Sequence, residues 1–450
     1  MFSLTAIALL KKDYFRGGFL ADTPIVRERG LSAYWVSPGQ IEIGETEFDV
    51  DILDHSQIHG TGMFDALFYP LVDLVCPSNE LSGVNGFPAG GRRDFGTAAR
   101  PGHEVVGLLM AATADAAERL RNRGIHGACY GIVNINAGCG QCESCRAGGS
   151  PDVCYEGQTY IGLGDGNSGR KEESWLHRET GRYEIPGFLT QLAVPIPSKQ
   201  FFALPCQPPR SLAELAIYGL ADAVACTRNV VDSVGIGFDF PRYYHSDQPA
   251  ILVIGAGRLG TLCCMVLHDL FPTAKVHALD VASNGMTVLN AACPAVTTHF
   301  LEDRDEIVER VRSIAVEQPK GKFHYIINCA SHQAVNADAL NRLAETALHR
   351  RGRIGRLDHT SVCGLEAGGQ TLVDCQLGHI NALGPADNFP YALDLIRRHK
   401  DLLMDLMHLI AGELSDNVEQ IKTVTETSAA NLKAEGKHLA VGIQLNPWVF

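Results

Sequence analysis

The sequence is short of positive charge. Its 38 lysines and arginines are outnumbered by 51 aspartates and glutamates, giving a formal net charge of -13 at pH 7, and no basic tract offsets the deficit. Phosphate-rich partners need a basic surface, so nucleic acid and anionic membranes are excluded as general partners. A long apolar run is lacking too. The opening stretch LTAIALL falls well below the ~20 residues of a spanning helix and is followed at once by Lys11 and Lys12. With no basic region before it, it does not read as a secretion signal, and a buried first strand is expected. The expected setting is the cytoplasm, where the 14 cysteines stay mostly reduced, four of them on metal and the rest as small apolar side chains. Neither internal repeats nor low-complexity segments occur. A hydrophobic content of 46% against 20% charged residues excludes disorder as the dominant state.

At 450 residues the chain is long for one hydrophobic core, and its texture changes near the middle. Up to about residue 210 it is rich in Gly, Pro and short strand-like runs. From 250 onward strands and helices alternate, which implies a doubly wound parallel sheet. ILVIG at 251–255 is an unbroken apolar run ending in glycine, as a central parallel strand requires. KVHALD, AVTTHF, FHYIINCA and GRIGRL read as further strands. Between them, TLCCMVLHDL reads as a buried helix, and DEIVERVRSIAV places Ile307, Val308, Val311, Ile314 and Ala315 on one helical face. The expected division is a catalytic domain over 1–215, a cofactor domain over 216–385, and a C-terminal segment over 386–450 that returns to the first domain. Long irregular stretches before residue 103 and after the cysteine lobe suit binding loops. They carry Arg92, Arg93, Arg170 and Lys171, charges that suit an anionic substrate or a solvated surface.

Within the first domain, Cys139, Cys142, Cys145 and Cys154 stand at Cys-x2-Cys-x2-Cys-x8-Cys spacing in a lobe at 138–155. Four thiolates so placed suit a tetrahedral structural zinc, a closed site that shapes a loop and does no chemistry. An iron-sulfur cluster is the main rival for the same ligands.

Gly255-Ala256-Gly257-Arg258-Leu259-Gly260 matches G-x-G-x-x-G and lies between an apolar strand and a helix, where a dinucleotide's pyrophosphate would meet bare backbone and a helix N-terminus. Asp280 ends the next strand. Its carboxylate suits the two hydroxyls of an adenosine ribose and repels a 2'-phosphate, so NAD is expected over NADP.

Pro101-Gly102-His103-Glu104-Val105-Val106-Gly107 sets an imidazole beside a carboxylate between glycines. Taken with the cysteine lobe and the glycine-rich turn in this chain order, it resembles the zinc-containing medium-chain dehydrogenase/reductase family, which includes alcohol, sorbitol, threonine and glucose dehydrogenases. The resemblance runs from about residue 35 to 445. It implies an α/β fold, with a GroES-like β-rich catalytic domain and a Rossmann cofactor domain, and two zinc ions per chain. It also implies a homodimer or homotetramer. Gln57-Ile58-His59-Gly60-Thr61-Gly62 resembles the segment that supplies the first catalytic-zinc ligand, with His59 where the family usually has cysteine and Gly62 where it often has aspartate. His55 is the competing ligand. The resemblance makes His103 the second ligand and Glu214, in SLAELAIYGLADAVACTRNV, the third. Glu104 orients the site or exchanges onto the metal, and Thr61 bonds the substrate hydroxyl.

The activity so implied is hydride transfer between a secondary alcohol, of polyol, sugar or cyclitol type, and NAD. Two alternatives stand beside it: a zinc-independent reductase of an activated double bond, and a non-catalytic NAD-binding sensor or scaffold that retains structural zinc.

Overall fold

Two stretches in the first half are buried at every position, the pattern of strands covered on both faces. The computed structural model describes residues 26–37, 40–50, 65–75, 102–134, 136–138, 142–147, 158–160, 175–177, 182–184, 188–191, 193–244, 248–330, 335–357, 371–374, 388–412, 414, 418–420 and 438–446. The opening LTAIALL lies outside them. Val26–Ser37 (β1) and Gln40–Val50 (β2) form an antiparallel hairpin. The two fully buried strands, Ala66–Leu74 (β3) and Val105–Ala112 (β4), pair antiparallel. Helix Ala114–Asn122 (α1) starts at Thr113, whose side chain accepts a hydrogen bond from Ala116 N. Cys129–Val133 (β5) then returns beside β4, Val194–Ile196 (β6) pairs with the start of β3, and Phe201–Ala203 (β7) lies against β5.

Helices Leu212–Ala216 (α2) and Ala221–Ser233 (α3) lead to the second sheet. Its elements alternate as the sequence pattern requires: Ala250–Ile254 (β8), Arg258–Leu270 (α4), Lys275–Asp280 (β9), Ser283–Ala292 (α5), Thr297–Phe300 (β10), Ile307–Val316 (α6), Phe323–Asn328 (β11), Ala337–Ala347 (α7), Leu348–Arg356 (β12) and Thr371–Asp374 (β13). All six strands run parallel, in the order β10-β9-β8-β11-β12-β13. The chain winds outward from β8 in both directions, so a crevice opens between β8 and β11 at their C-terminal ends, where such sheets take ligands. The period of two along β8 sorts its side chains. Ile251 and Val253 join a core shared with α3, α4 and the first sheet, whereas Leu252 and Ile254 join a second core with Val308 and Val311 of α6 and Leu340 and Leu343 of α7. The five residues expected on the inner face of α6 are its buried ones.

Past Asn388–Arg398 (α8) and Lys400–Asp405 (α9), Met407–Ile410 (β14) and Ala440–Gln444 (β15) join the first sheet. β15 pairs antiparallel with β3, completing the order β7-β5-β4-β3-β15-β14 with β6 also on β3. Asn446 closes the seam: its Nδ2 donates to Pro70 O at 2.7 Å while its Oδ1 accepts from Tyr69 OH at 2.8 Å. Among the described residues no helix is long and apolar enough to cross a membrane.

Candidate active site

The glycine-rich turn follows β8 directly. Gly255 has φ +96, a left-handed conformation that side chains resist, and a Cβ there would stand 2.9 Å from Ala330 N. Gly257 caps α4 and makes no side-chain cap hydrogen bond, and the N-terminal end of a helix favours an anion. Asp280, at the end of β9, braces the turn: Oδ2 accepts from Ala256 N at 2.5 Å and Oδ1 from Ala282 N at 2.8 Å. Leu259 is half-buried on α4, and Gly260 packs against the turn itself.

The second cluster forms where β3, β4 and α3 meet. Gly102 takes φ +102, and a Cβ on it would come within 2.5 Å of Leu189 N and 2.7 Å of Asp73 Oδ2, so the turn into β4 excludes any other residue. His103 and Glu104 follow, 3% and 2% exposed. The backbone of Glu104 is fixed by Leu74 N, which donates to its carbonyl at 3.0 Å. Asp222 enters from the first turn of α3. Ligand atoms of His103, Glu104 and Asp222 all lie within 4.8 Å of one another. Asp73, buried on β3, faces the same group: burial pushes its carboxyl up to about 7, with His103 opposing and Glu104 adding to the shift. Burial likewise pushes Asp222 up to about 7. Among the described residues, Asp73 Oδ1 and Asp222 Oδ1 are shielded from solvent without a hydrogen-bond partner. Crowded carboxylates with orphaned oxygens around an imidazole suit a divalent cation, so the residues present fit a metal ion of the kind zinc represents.

Arg258 joins the two clusters. It was expected at the cofactor, and its backbone does stand at the head of α4. Its guanidinium crosses to Glu104, donating to both carboxylate oxygens at 2.8 and 2.7 Å, and to Val75 O at 3.1 Å. The pair is 10% and 2% exposed. Removing one partner alone would strand a buried charge, at a cost of about 3–5 kcal/mol.

Glu214, expected as the third ligand, is not among the side chains whose ligand atoms come together with His103. It sits in the first turn of α2, where its N–H donates to Ser211 Oγ at 3.1 Å and its Oε2 accepts from Arg210 N at 2.7 Å. Its Oε1 takes Lys400 Nζ at 3.3 Å. This is a capping arrangement, for which Ser-x-x-Glu before an apolar run is the local signal. Asp222, eight positions on in the same quoted segment, is the carboxylate that reaches His103. No local signal marks it, because an acid in the first turn of a helix is common for dipole reasons alone. Asp73 was missed because it lies in an otherwise apolar strand.

His55, His59, Thr61 and Gly62 lie outside the described residues, as do Arg92, Arg93, Arg170 and Lys171. In the cysteine lobe, Cys139 and Cys154 also lie outside them. Cys142 is half-buried at the start of the one-turn helix Glu143–Arg146, which carries Cys145. Asn136–Gly138 pairs antiparallel with Gln158–Tyr160, so the base of the lobe is closed by a short ladder.

No family model matches the sequence, and no curated protein is similar to it. Solved structures are. L-idonate 5-dehydrogenase of Escherichia coli K-12 is 12% identical, with 94% of this chain and 100% of that one covered and a TM-score of 0.62. Alcohol dehydrogenase TADH of Thermus sp. ATN1 is 15% identical, covering 92% and 100% at 0.62. A protein of E. coli CFT073 described as a short chain alcohol dehydrogenase, solved with NADH, is 15% identical, covering 93% and 99% at 0.59. The likeness is one of fold. This chain has the architecture of the zinc-containing medium-chain dehydrogenases, a GroES-like β-rich domain joined to a Rossmann domain.

Proposed function

We propose that the protein is an oxidoreductase that moves a hydride between a secondary alcohol, of polyol, sugar or cyclitol type, and NAD at a zinc-dependent site. The observation that carries this reading is the contact between the two clusters: Arg258 of the glycine-rich turn grips Glu104, and Glu104 lies within 4.8 Å of the ligand atoms of His103 and Asp222. A dinucleotide on that turn and an ion on those side chains would be near neighbours.

In this reading His103 and Asp222 hold the ion, with His59 as the expected further ligand. Bound zinc supplies Lewis acidity toward a substrate oxygen, and NAD supplies the hydride acceptor. Thr61 Oγ1 holds the proton of the substrate hydroxyl. The N–H groups at the head of α4 bind the pyrophosphate, and Asp280 takes the ribose hydroxyls. The side chains that crowd the ion exclude bulk water, which strengthens each of these interactions.

Metal analysis tests the ligand set. The wild type is expected to carry two zinc ions, one of them in the cysteine lobe. Asp222→Asn falls to one while Glu214→Gln keeps both; the reverse pattern would return the third-ligand role to Glu214. Asp280→Ala is expected to weaken NAD by about tenfold, the ~1.4 kcal/mol equivalent of one good hydrogen-bonding group, and to narrow the preference over NADP. Titration calorimetry with both cofactors reads this, and unchanged affinities would reject the assignment. A screen of NADH production over polyols, sugars and cyclitols tests the substrate class. No turnover with any of them, by protein that holds both zinc and NAD, would favour a binding role.

A further inference from the structure

Arg258 occupies the variable position after the second glycine of the turn, yet its side chain serves the other domain. The Nη1 and Nη2 nitrogens take one oxygen each of Glu104, at 2.8 and 2.7 Å, and Nη1 also donates to Val75 O at 3.1 Å. Glu104 is near enough to His103 and Asp222 to bind the same ion. A planar fork engaging both carboxylate oxygens fixes the carboxylate's plane and uses the lone pairs that face it. A freed Glu104 would turn toward the nearest cation instead.

We infer that Arg258 is a positioning residue that withholds Glu104 from the ion held by His103 and Asp222, so that a coordination position stays open to substrate. The inference rests on the metal reading above. It assigns a metal-side task to a residue of the cofactor turn. A change of side chain there therefore alters the ion's surroundings without touching a ligand. Lysine is no equivalent, since one ammonium cannot span both oxygens of Glu104 and Val75 O at once.

Cobalt(II) exchanged into the full-length protein, at the site a chelator such as dipicolinate empties, reports the coordination number through its visible bands. Wild type is expected to show the intense bands of a four-coordinate ion. In Arg258→Met, Glu104 adds as a further ligand and the intensity falls severalfold with cobalt still bound. Arg258→Met with Glu104→Gln regains the wild-type spectrum, because a neutral amide is a poor ligand and no buried charge is stranded. Arg258→Lys falls between, and it carries the comparison if Arg258→Met does not fold. Unchanged bands in both single variants would overturn the inference, as would a loss of intensity that the double variant does not reverse. A wild type that takes up no cobalt outside the cysteine lobe would instead defeat the metal reading, and the role of Arg258 with it.

Discussion

His103→Ala is expected to release one zinc per chain and to lower kcat/KM for alcohol oxidation by about three orders of magnitude, while the protein stays folded. The size follows from the ion's role. Lewis-acid stabilisation of charge developing on a substrate oxygen is worth several kcal/mol, and each ~1.4 kcal/mol is a factor of ten in rate. The fold should persist because His103 sits in a turn before β4, where the strand itself is anchored by its ladder to β3 and β5 and by Leu74 N on Glu104 O. Removing the imidazole leaves Asp73 and Asp222 beside Glu104 with one fewer group to offset their charge, since His103 lowers both of their pKa values. Zinc analysis, far-ultraviolet circular dichroism and steady-state kinetics together read the outcome. Retention of both zinc ions would remove His103 from the ligand set. Loss of zinc with full turnover would leave the ion structural.

How far the sequence foretold these positions depended on whether the signal was local. The turn at 255–260 was legible because its demands are steric and fall within six residues: a left-handed glycine, a helix start and a tight strand-helix contact. The α6 face was legible because its period places Ile307, Val308, Val311, Ile314 and Ala315 on one stripe. His103 and Glu104 stood out through the flanking glycines, and φ +102 at Gly102 gives the reason. Which acid of the quoted segment comes beside His103 is not legible. Glu214 and Asp222 are both acids in helical first turns, and the choice between them is made by packing: α2 turns Glu214 to Arg210 and Lys400, and α3 turns Asp222 to His103. Nor does sequence reveal that Arg258 reaches Glu104, 154 positions away, since a long side chain on a first helical turn has many available directions. Pairings of that kind come from the meeting of the two domains, and no window of the sequence contains both partners.

Gly260→Ala is expected to weaken NAD and NADH by about 100-fold and to lower thermal stability. A Cβ at this position would come 1.7 Å from Gly255 O and 2.8 Å from Gly255 C, and both are backbone atoms. Neither can rotate away, so α4 must slide off β8 or the turn must deform. Overpacking of this type costs about 1–3 kcal/mol, and a turn held off its native shape loses the N–H groups that a pyrophosphate needs. A full 2.7 kcal/mol transferred to binding corresponds to about 100-fold in Kd. Arg258 is two residues from the substitution, so the displacement should also strain its grip on Glu104 and, through it, the metal cluster. Gly44→Ala on the β1–β2 hairpin is the matched control, because its Cβ would meet nothing within 4 Å. Titration calorimetry with NADH and a melting curve on both variants decide the matter. Wild-type affinity in Gly260→Ala would mean that the glycine-rich turn is a packing feature and that the cofactor binds elsewhere.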